Sequence, residues 1–282
     1  MFQIKAEVIY NRKIKKNYYE ISLSSPQIAK NASPGQFVNI KVNDGIEPLL
    51  RRPLSIHKIS HQVTRFPGHQ IKEKECIVML YEVMGKGTEI LSQRKHGEFL
   101  DIIGPLGNGF SLGRGLSTVD RRPILVAGGM GTAPLVFLAE KLVHRKPLVL
   151  IGAKAEDALL CEREFKDLGC KVKIATDDGS RGFKGYVSDL LLQILSTVNC
   201  EPSTIYACGP LPLLKEICRI SEEHNIPAQV SLESHMACGI GACMGCVIKT
   251  RGEGRRTKDD FEYKRVCKEG PVFEARQIVW EK

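Results

Sequence analysis

Four cysteines form the densest cluster of chemically capable residues in this sequence: Cys238, Cys243 and Cys246 within ACGIGACMGC, and Cys267 within KRVCKEG. The spacing is C-x4-C-x2-C, then twenty residues, then the last cysteine. Four thiolates so arranged match the plant-type ligand pattern of a [2Fe–2S] cluster. Three arrive from one tight loop and the fourth from a later segment. Gly239, Gly241 and Gly245 leave the loop free to wrap a cluster and turn N–H groups toward its sulfurs. A structural zinc site is the alternative, but zinc knuckles usually come as two short cysteine pairs.

Three further motifs have the chemistry of cofactor phosphates. Arg51-Arg52-Pro53-Leu54-Ser55 offers a planar guanidinium fork for a pyrophosphate and a hydroxyl that could reach a flavin ring. Met84-Gly85-Lys86-Gly87-Thr88 places glycines and a capping hydroxyl before a helix, where free N–H groups attract phosphate. Ala127-Gly128-Gly129-Met130-Gly131-Thr132-Ala133-Pro134 lies between an apolar strand and a helical run, an anion cradle of the dinucleotide type. It departs from G-x-G-x-x-G, and no acid sits at the ribose-binding distance; Glu156 and Asp157 come late, with Lys154 beside them. Cys208-Gly209-Pro210 ends another strand and would line the same crevice. Each of these three, and the Gly-Pro turn, could alone be an ordinary structural turn. Asp177-Asp178-Gly179-Ser180 reads as a turn or a ribose contact. No acid–base residue is nominated as catalytic.

The elements that must position these groups follow from pattern and punctuation. Short alternating runs at Phe2–Val8, Tyr18–Ser22, Gln36–Lys41, Cys76–Val83 and Phe99–Ile103 predict an antiparallel β barrel over residues 1–112. Gly104–Phe110 reads as a long closing turn, and residues 113–122 as a linker. From residue 123 strands alternate with helices, predicting a parallel-sheet α/β domain over 113–226. Its helices are expected at Ala133–His144, Ala158–Leu168, Val187–Leu195 and Leu211–His224, its strands at Pro123–Ala127, Leu148–Ile151, Cys170–Ala175 and Thr204–Ala207. Residues 227–282 form a small cluster domain: a strand from Ala228, the cysteine loop, a strand at Cys246–Thr250, and a polar hairpin or loop over Arg251–Tyr263.

The 282 residues suit two or three domains, with 43% hydrophobic and 26% charged residues, as in ordinary globular proteins. Apolar runs fall short of the roughly 18 residues of a membrane helix. The N-terminus lacks the apolar core of a signal peptide, so the cytoplasm is the expected location. Six cysteines outside the cluster set (Cys76, Cys161, Cys170, Cys200, Cys208, Cys218) have no disulfide-framework spacing and read as reduced thiols. The net charge of +9 comes from 41 basic and 32 acidic residues. The basic residues are dispersed without interleaved aromatics, which argues against nucleic acid. Two basic groups, Arg12–Lys16 and Arg251–Lys258, read as solvated faces or as a docking surface for an acidic partner.

Taken in order, the motifs resemble the ferredoxin–NADP reductase superfamily: flavin barrel, nucleotide domain, plant-type cluster domain. Within it, RRPLSI, VMGKGT, GPLGNGF, AGGMGTAP, ACGP, SLESHMACGIGACMGC and YKRVCKEGPVF resemble the electron-transfer subunits of class 1B dihydroorotate dehydrogenases over essentially the whole chain. The resemblance implies that Arg52, Pro53, Leu54 and Ser55 hold the FAD ribityl-phosphate and isoalloxazine, and that Gly85, Gly87 and Thr88 serve its pyrophosphate. Gly129, Gly131 and Thr132, with Cys208 and Gly209, would face NAD. Cys238, Cys243, Cys246 and Cys267 would ligate the cluster. It further implies an FMN-bearing catalytic partner in a heterotetramer of two of each, and electron flow from dihydroorotate through [2Fe–2S] and FAD to NAD⁺ in pyrimidine (UMP) biosynthesis. The stretch between Cys246 and Cys267 is longer than the family pattern. Reductase subunits serving a sulfide dehydrogenase, a glutamate synthase-like flavoprotein or a hydrogenase share this architecture, and a zinc-stapled binding module is the non-redox alternative.

Overall fold

The computed structural model describes residues 1–64, 72–112, 122–197, 202–252 and 261–280. The first sheet is antiparallel and has seven strands: β1 (Phe2–Lys13), β2 (Tyr18–Ser24), β3 (Phe37–Lys41), β4 (Arg52–Ser55), β5 (Lys58–Thr64), β6 (Lys72–Glu82) and β7 (Phe99–Leu106). Their order is β4-β3-β7-β1-β2-β6-β5, a half-barrel with β4 and β5 at its edges. Inward Ala6, Val8, Ile21, Leu23, Val38, Ile40, Ile77, Met79 and Ile102 fill it. Helices α1 (Pro26–Asn31) and α2 (Lys86–Ser92) flank the sheet.

Several expected boundaries move, each for a physical reason. β1 runs five residues past Val8 because its polar end is held across the ladder: Tyr10 hydrogen-bonds Glu20, and Arg12 pairs with the same carboxylate at 3.0 Å. Arg52–Ser55 is not a turn after a strand but the edge strand β4, a position where Pro53 costs no ladder bond. The expected turn at Gly104 begins only after Leu106, since β7 stays paired with β3 to that residue. α1 was not expected; it begins at Pro26, proline being suited to a first helical turn.

The second sheet has strands β8 (Ile124–Gly128), β9 (Leu148–Ala153), β10 (Lys171–Thr176), β11 (Phe183–Lys184), β12 (Ile205–Cys208) and β13 (Ala228–Ser231), all parallel, in the order β11-β10-β9-β8-β12-β13. Helices α3 (Thr132–Leu142), α4 (Glu162–Asp167), α5 (Val187–Thr197) and α6 (Leu211–Glu223) cover it. The helix expected over Ala158–Leu168 is broken: Cys161 adopts a left-handed φ of 59°, leaving a 3-10 turn at Glu156–Ala158 and the short α4. The linker expected at 113–122 lies, up to residue 121, outside the described residues.

The cluster segment contributes the hairpin β14 (Val247–Arg251) and β15 (Phe261–Arg265), then β16 (Val272–Glu274). Strand β16 pairs antiparallel with β13, extending the parallel sheet by one strand. One apolar core joins all three regions: it contains Phe37 and Leu106 from the half-barrel, Ile217 and Val230 from the nucleotide region, and Cys246, Val266 and Cys267. Of the basic group Arg12–Lys16, Lys15 ties the half-barrel to the nucleotide region through the Asp157 carbonyl at 3.0 Å. Most of Arg251–Lys258 lies outside the described residues.

Candidate redox site between the half-barrel and the nucleotide region

The β14–β15 hairpin explains the long gap between the third and fourth cysteines. Val247 pairs with Arg265, and the Val266 amide donates to the Cys246 carbonyl at 2.9 Å, so the hairpin's base brings Cys246 and Cys267 together. Burial pushes the Cys267 thiol up to about 12, aided by a hydrogen bond with the Cys246 thiol. Cys238 and Cys243 form the other pair: the Cys243 amide points at the Cys238 sulfur at 3.4 Å. Partial burial acts to raise Cys238, but N–H groups of Cys243, Ile240 and Ala242 outweigh it and bring the thiol down to about 6. Stabilised thiolate is the form that binds metal.

Two thiol pairs suit two irons. Among the described residues, the grouping of three or more donor atoms all within 4.8 Å is His57, Cys161 and Glu164, not the four cysteines. A single tetrahedral zinc would hold all four sulfurs about 3.8 Å apart. The donor set therefore fits a binuclear cluster better than one ion.

The cysteine loop is anchored on both sides. Asn39 of β3, 1% exposed, donates from Nδ2 to the Cys238 carbonyl at 3.2 Å. Gly239 beside it has φ +67°, and a Cβ there would press into the Asn39 amide. Arg265 donates to the Gly241 carbonyl at 2.7 Å while its fork grips Glu269 at 2.6 Å. Asn39 and Arg265 were not singled out from the sequence. A lone asparagine in the apolar run FVNIK was the available signal.

Strand β3 leads from this loop to a cleft. Asn39 pairs with Pro53 and Phe37 with Ser55. The cleft, about 270 Å³, is lined by Phe37, Pro53, Leu54 and Ser55 from the half-barrel, by Thr88, by Met130, Ala133 and Cys208 from the nucleotide region, and by Ser231–Ser234. Two residues of strand span about 7 Å, so the cluster loop docks within that reach of the cleft wall.

Residues from three separate motifs thus share one wall. Arg52 lies against α2: a Cβ on Gly87 would fall 2.6 Å from its guanidinium carbon. Thr88 sits in the first turn of α2 rather than before it. Its hydroxyl oxygen accepts from the Met84 and Gly85 amides at 3.0 and 3.3 Å and donates to the Gly85 carbonyl. Gly85 is extended, with open space where a side chain would go.

On the nucleotide side, β8 and β12 are adjacent, and the strand order runs outward in opposite directions from them. Ligands of open parallel sheets bind at such a switch point, beyond the carboxyl ends of the strands. The loop after β8 carries Gly129 and Gly131; β12 ends at Cys208, and the loop after it begins with Gly209. The two touch: a Cβ on Gly131 would overlap the Cys208 carbonyl and reach within 2.6 Å of the Gly209 nitrogen. Thr132 is buried and donates its hydroxyl to the Gly129 carbonyl at 2.9 Å, holding the loop's shape. Burial raises the Cys208 thiol, leaving it neutral. Glu233, unnoticed in the sequence, lines the cleft with its side chain still exposed, and the partial desolvation there raises its carboxyl. Asp178 is tied up by Ser180, whose amide and hydroxyl both donate to it, and Arg181 pairs with Glu156 and Glu162.

An antiparallel half-barrel, a parallel sheet with glycine loops at its switch point and a four-cysteine loop define a flavin- and nucleotide-dependent reductase with a cluster segment. Residues 233–279 match the iron–sulfur cluster binding domain of dihydroorotate dehydrogenase B, and residues 125–219 match the oxidoreductase NAD-binding domain. The chain is 40% identical over 283 residues to the dihydroorotate dehydrogenase B (NAD(+)) electron transfer subunit of Desulforamulus reducens, covering 100% of this chain and 99% of the relative. It is 38% identical to that of a Geobacillus species, covering 99% of both. A solved NADH-dependent reduced ferredoxin–NADP oxidoreductase, studied for flavin-based electron bifurcation, superimposes with a TM-score of 0.78 at 27% identity over 98% of this chain and 90% of that one. The ferredoxin reductase of carbazole 1,9a-dioxygenase shares the fold, with a TM-score of 0.62 at 18% identity over 80% of this chain and 66% of that one. The chain belongs to the family of dihydroorotate dehydrogenase B electron transfer subunits.

Proposed function

We propose that this chain takes electrons from a dihydroorotate-oxidising catalytic subunit and passes them by way of a [2Fe–2S] cluster and FAD to NAD⁺. The observation that carries this reading is the shared wall: β3 holds the cysteine loop through Asn39 and lines, through Phe37, a cleft that both glycine loops and Pro53–Ser55 also reach. A bound flavin supplies the exchange between single electrons and a hydride that nicotinamide chemistry requires.

The chain's own residues bind and orient. Cys238 and Cys243 would hold one iron, Cys246 and Cys267 the other. Arg52, Gly85, Gly87 and Thr88 would receive the flavin pyrophosphate, and Pro53, Leu54 and Ser55 the ring and ribityl chain. Gly129, Gly131, Cys208 and Gly209 would bring the nicotinamide to the cleft, with Thr132 holding the loop that carries the first two. No side chain is required to move a proton for hydride transfer.

The division of labour follows: residues 1–112 for flavin, 113–226 for nucleotide and 227–282 for the cluster, although β13 and β16 of the last part complete the nucleotide sheet. The partner carries FMN and assembles with this chain two of each. It docks on the cysteine-loop face, where Ile240 and Met244 are exposed. The complex works in the cytoplasm; no described helix is long and apolar enough to cross a membrane. Co-purification with the catalytic subunit, followed by anaerobic dihydroorotate-driven NAD⁺ reduction, tests the reading. A pair with full cofactor content and no such activity would refute it.

A further inference from the structure

Behind Ala133 of the cleft wall, a second donor cluster joins the half-barrel to the nucleotide region. His57 follows β4 and is completely buried. Its Nδ1 lies 2.8 Å from the Ala133 carbonyl, and its Nε2 lies 3.0 Å from Glu164 Oε1. Cys161 completes the group, and the three donor atoms all lie within 4.8 Å of one another. Both partners of the imidazole are acceptors. With Nδ1–H donating to the carbonyl, the Nε2 lone pair faces a carboxylate oxygen, and a cation must sit between them, either a proton or a metal ion.

A metal-binding histidine characteristically gives its other N–H to a backbone carbonyl, which fixes the tautomer. His57 is held in that manner by Ala133. Cys161 is set by a left-handed backbone (φ 59°) that side-chain-bearing residues rarely adopt, a local strain of the kind found at functional sites. Sulfur, imidazole nitrogen and carboxylate oxygen together form a mixed donor set suited to zinc. Tetrahedral zinc with these ligands separates its donor atoms by about 3.3–3.6 Å. The N···O pair, now 3.0 Å apart, needs only to open slightly, and the sulfur already lies within 4.8 Å of both. Lys58, 2.8 Å from Glu164 Oε1, would remain a hydrogen-bond donor to the ligating carboxylate.

We propose that His57 Nε2, Cys161 Sγ and a Glu164 carboxylate oxygen bind one Zn²⁺, with water as fourth ligand, pinning the half-barrel to the nucleotide loop. Binding releases the Cys161 thiol proton to solvent and changes no oxidation state. The ion would couple His57 to the start of α3, because the imidazole Nδ1 lies 2.8 Å from the Ala133 carbonyl. The site is separate from the four cluster cysteines and does not depend on the redox reading of those residues.

The test is elemental analysis of the full-length protein carrying its cofactors, equilibrated with Zn²⁺ and then desalted. The expected result is about one zinc per chain in addition to the iron, falling at least tenfold in Cys161→Ser and in His57→Gln with iron unchanged. Zinc-edge X-ray absorption of the wild type should show one sulfur and the rest nitrogen or oxygen. Absence of stoichiometric zinc, zinc that persists in both variants, or a four-sulfur shell (zinc in the cluster loop) would each overturn the proposal. Should His57→Gln fail to fold, Cys161→Ser and the wild-type spectrum decide it, since Cys161 is only partly buried.

Discussion

Replacing Gly131 with alanine isolates the nucleotide loop from everything else. Gly131 has φ −61°, so alanine fits its backbone without strain. The obstacle is steric: the new methyl group would overlap the Cys208 carbonyl and come within 2.6 Å of the Gly209 nitrogen. Ordinary contact begins near 3.4 Å, so the two loops must part by 3.4 − 2.6 = 0.8 Å against the nitrogen and more against the carbonyl. Both neighbours are backbone and cannot swing away. Overpacking of this kind costs about 1–3 kcal/mol, offset by about 0.4–1 kcal/mol from the stiffer unfolded chain. The fold should therefore survive. A displacement of about 1 Å at a positioning loop can cost about 100-fold in rate. NADH oxidation with an artificial electron acceptor should lose roughly that factor in kcat/KM. Flavin and iron contents should stay at wild-type levels. Gly45→Ala is the control, because its nearest neighbour to a new Cβ is 3.8 Å away. A Gly131→Ala protein within twofold of the control would refute the assignment of this loop to the dinucleotide.

Three other outcomes follow from the geometry. Gly87→Ala pushes against the Arg52 guanidinium, a movable side chain, so stability should change little while flavin retained through dialysis falls by about tenfold or more, a loss of about 1.4 kcal/mol in affinity; full retention would contradict the pairing of Arg52 with α2. Asn39→Ala removes the bond to the Cys238 carbonyl and should lower stability by about 1 kcal/mol in denaturant unfolding. It should also alter the electron paramagnetic resonance line shape of the reduced protein with iron content preserved; an unchanged spectrum would show that Asn39 does not set the cysteine loop. Glu233 has a raised carboxyl in the cleft, so the native state holds its proton more tightly than the unfolded chain. Its contribution is then present at low pH and lost as pH rises through the raised value. Glu233→Gln should melt only slightly higher than wild type at pH 7, because solvent screens the exposed carboxyl, and alike below the ordinary carboxylate range; the opposite pH trend would contradict a raised carboxyl at this position.

The chemistry-bearing residues were legible because cofactor sites leave local signatures. The C-x4-C-x2-C loop, the paired glycines and the arginine fork are each set by backbone needs within a few residues. The sites' closeness was not legible, since it depends on contacts such as Asn39 to Cys238, 199 positions apart. Strand ends were read short wherever polar cross-strand pairs replace apolar alternation, as at Tyr10 and Arg12 on Glu20. Arg52–Ser55 looked like a turn because proline usually marks one; only the sheet order reveals an edge where proline is harmless. The break at Cys161 is invisible in periodicity, because Leu159 and Leu160 continue a helical pattern and are both buried, while the backbone at Leu159 is extended. Glu233 and His57 gave no signal because a single titratable residue has none until its neighbours are known.

The most direct test of electron relay through this chain is anaerobic stoichiometry in the purified complex with its catalytic partner. Dihydroorotate and NAD⁺ are supplied together and NADH is followed by absorbance. The account predicts one NADH for each dihydroorotate consumed. It also predicts that Cys267→Ser, which removes one member of the Cys246–Cys267 pair, abolishes this transfer while NADH oxidation by an artificial acceptor persists. Undiminished dihydroorotate-driven NADH formation in the Cys267→Ser complex would contradict a path through the cysteine loop.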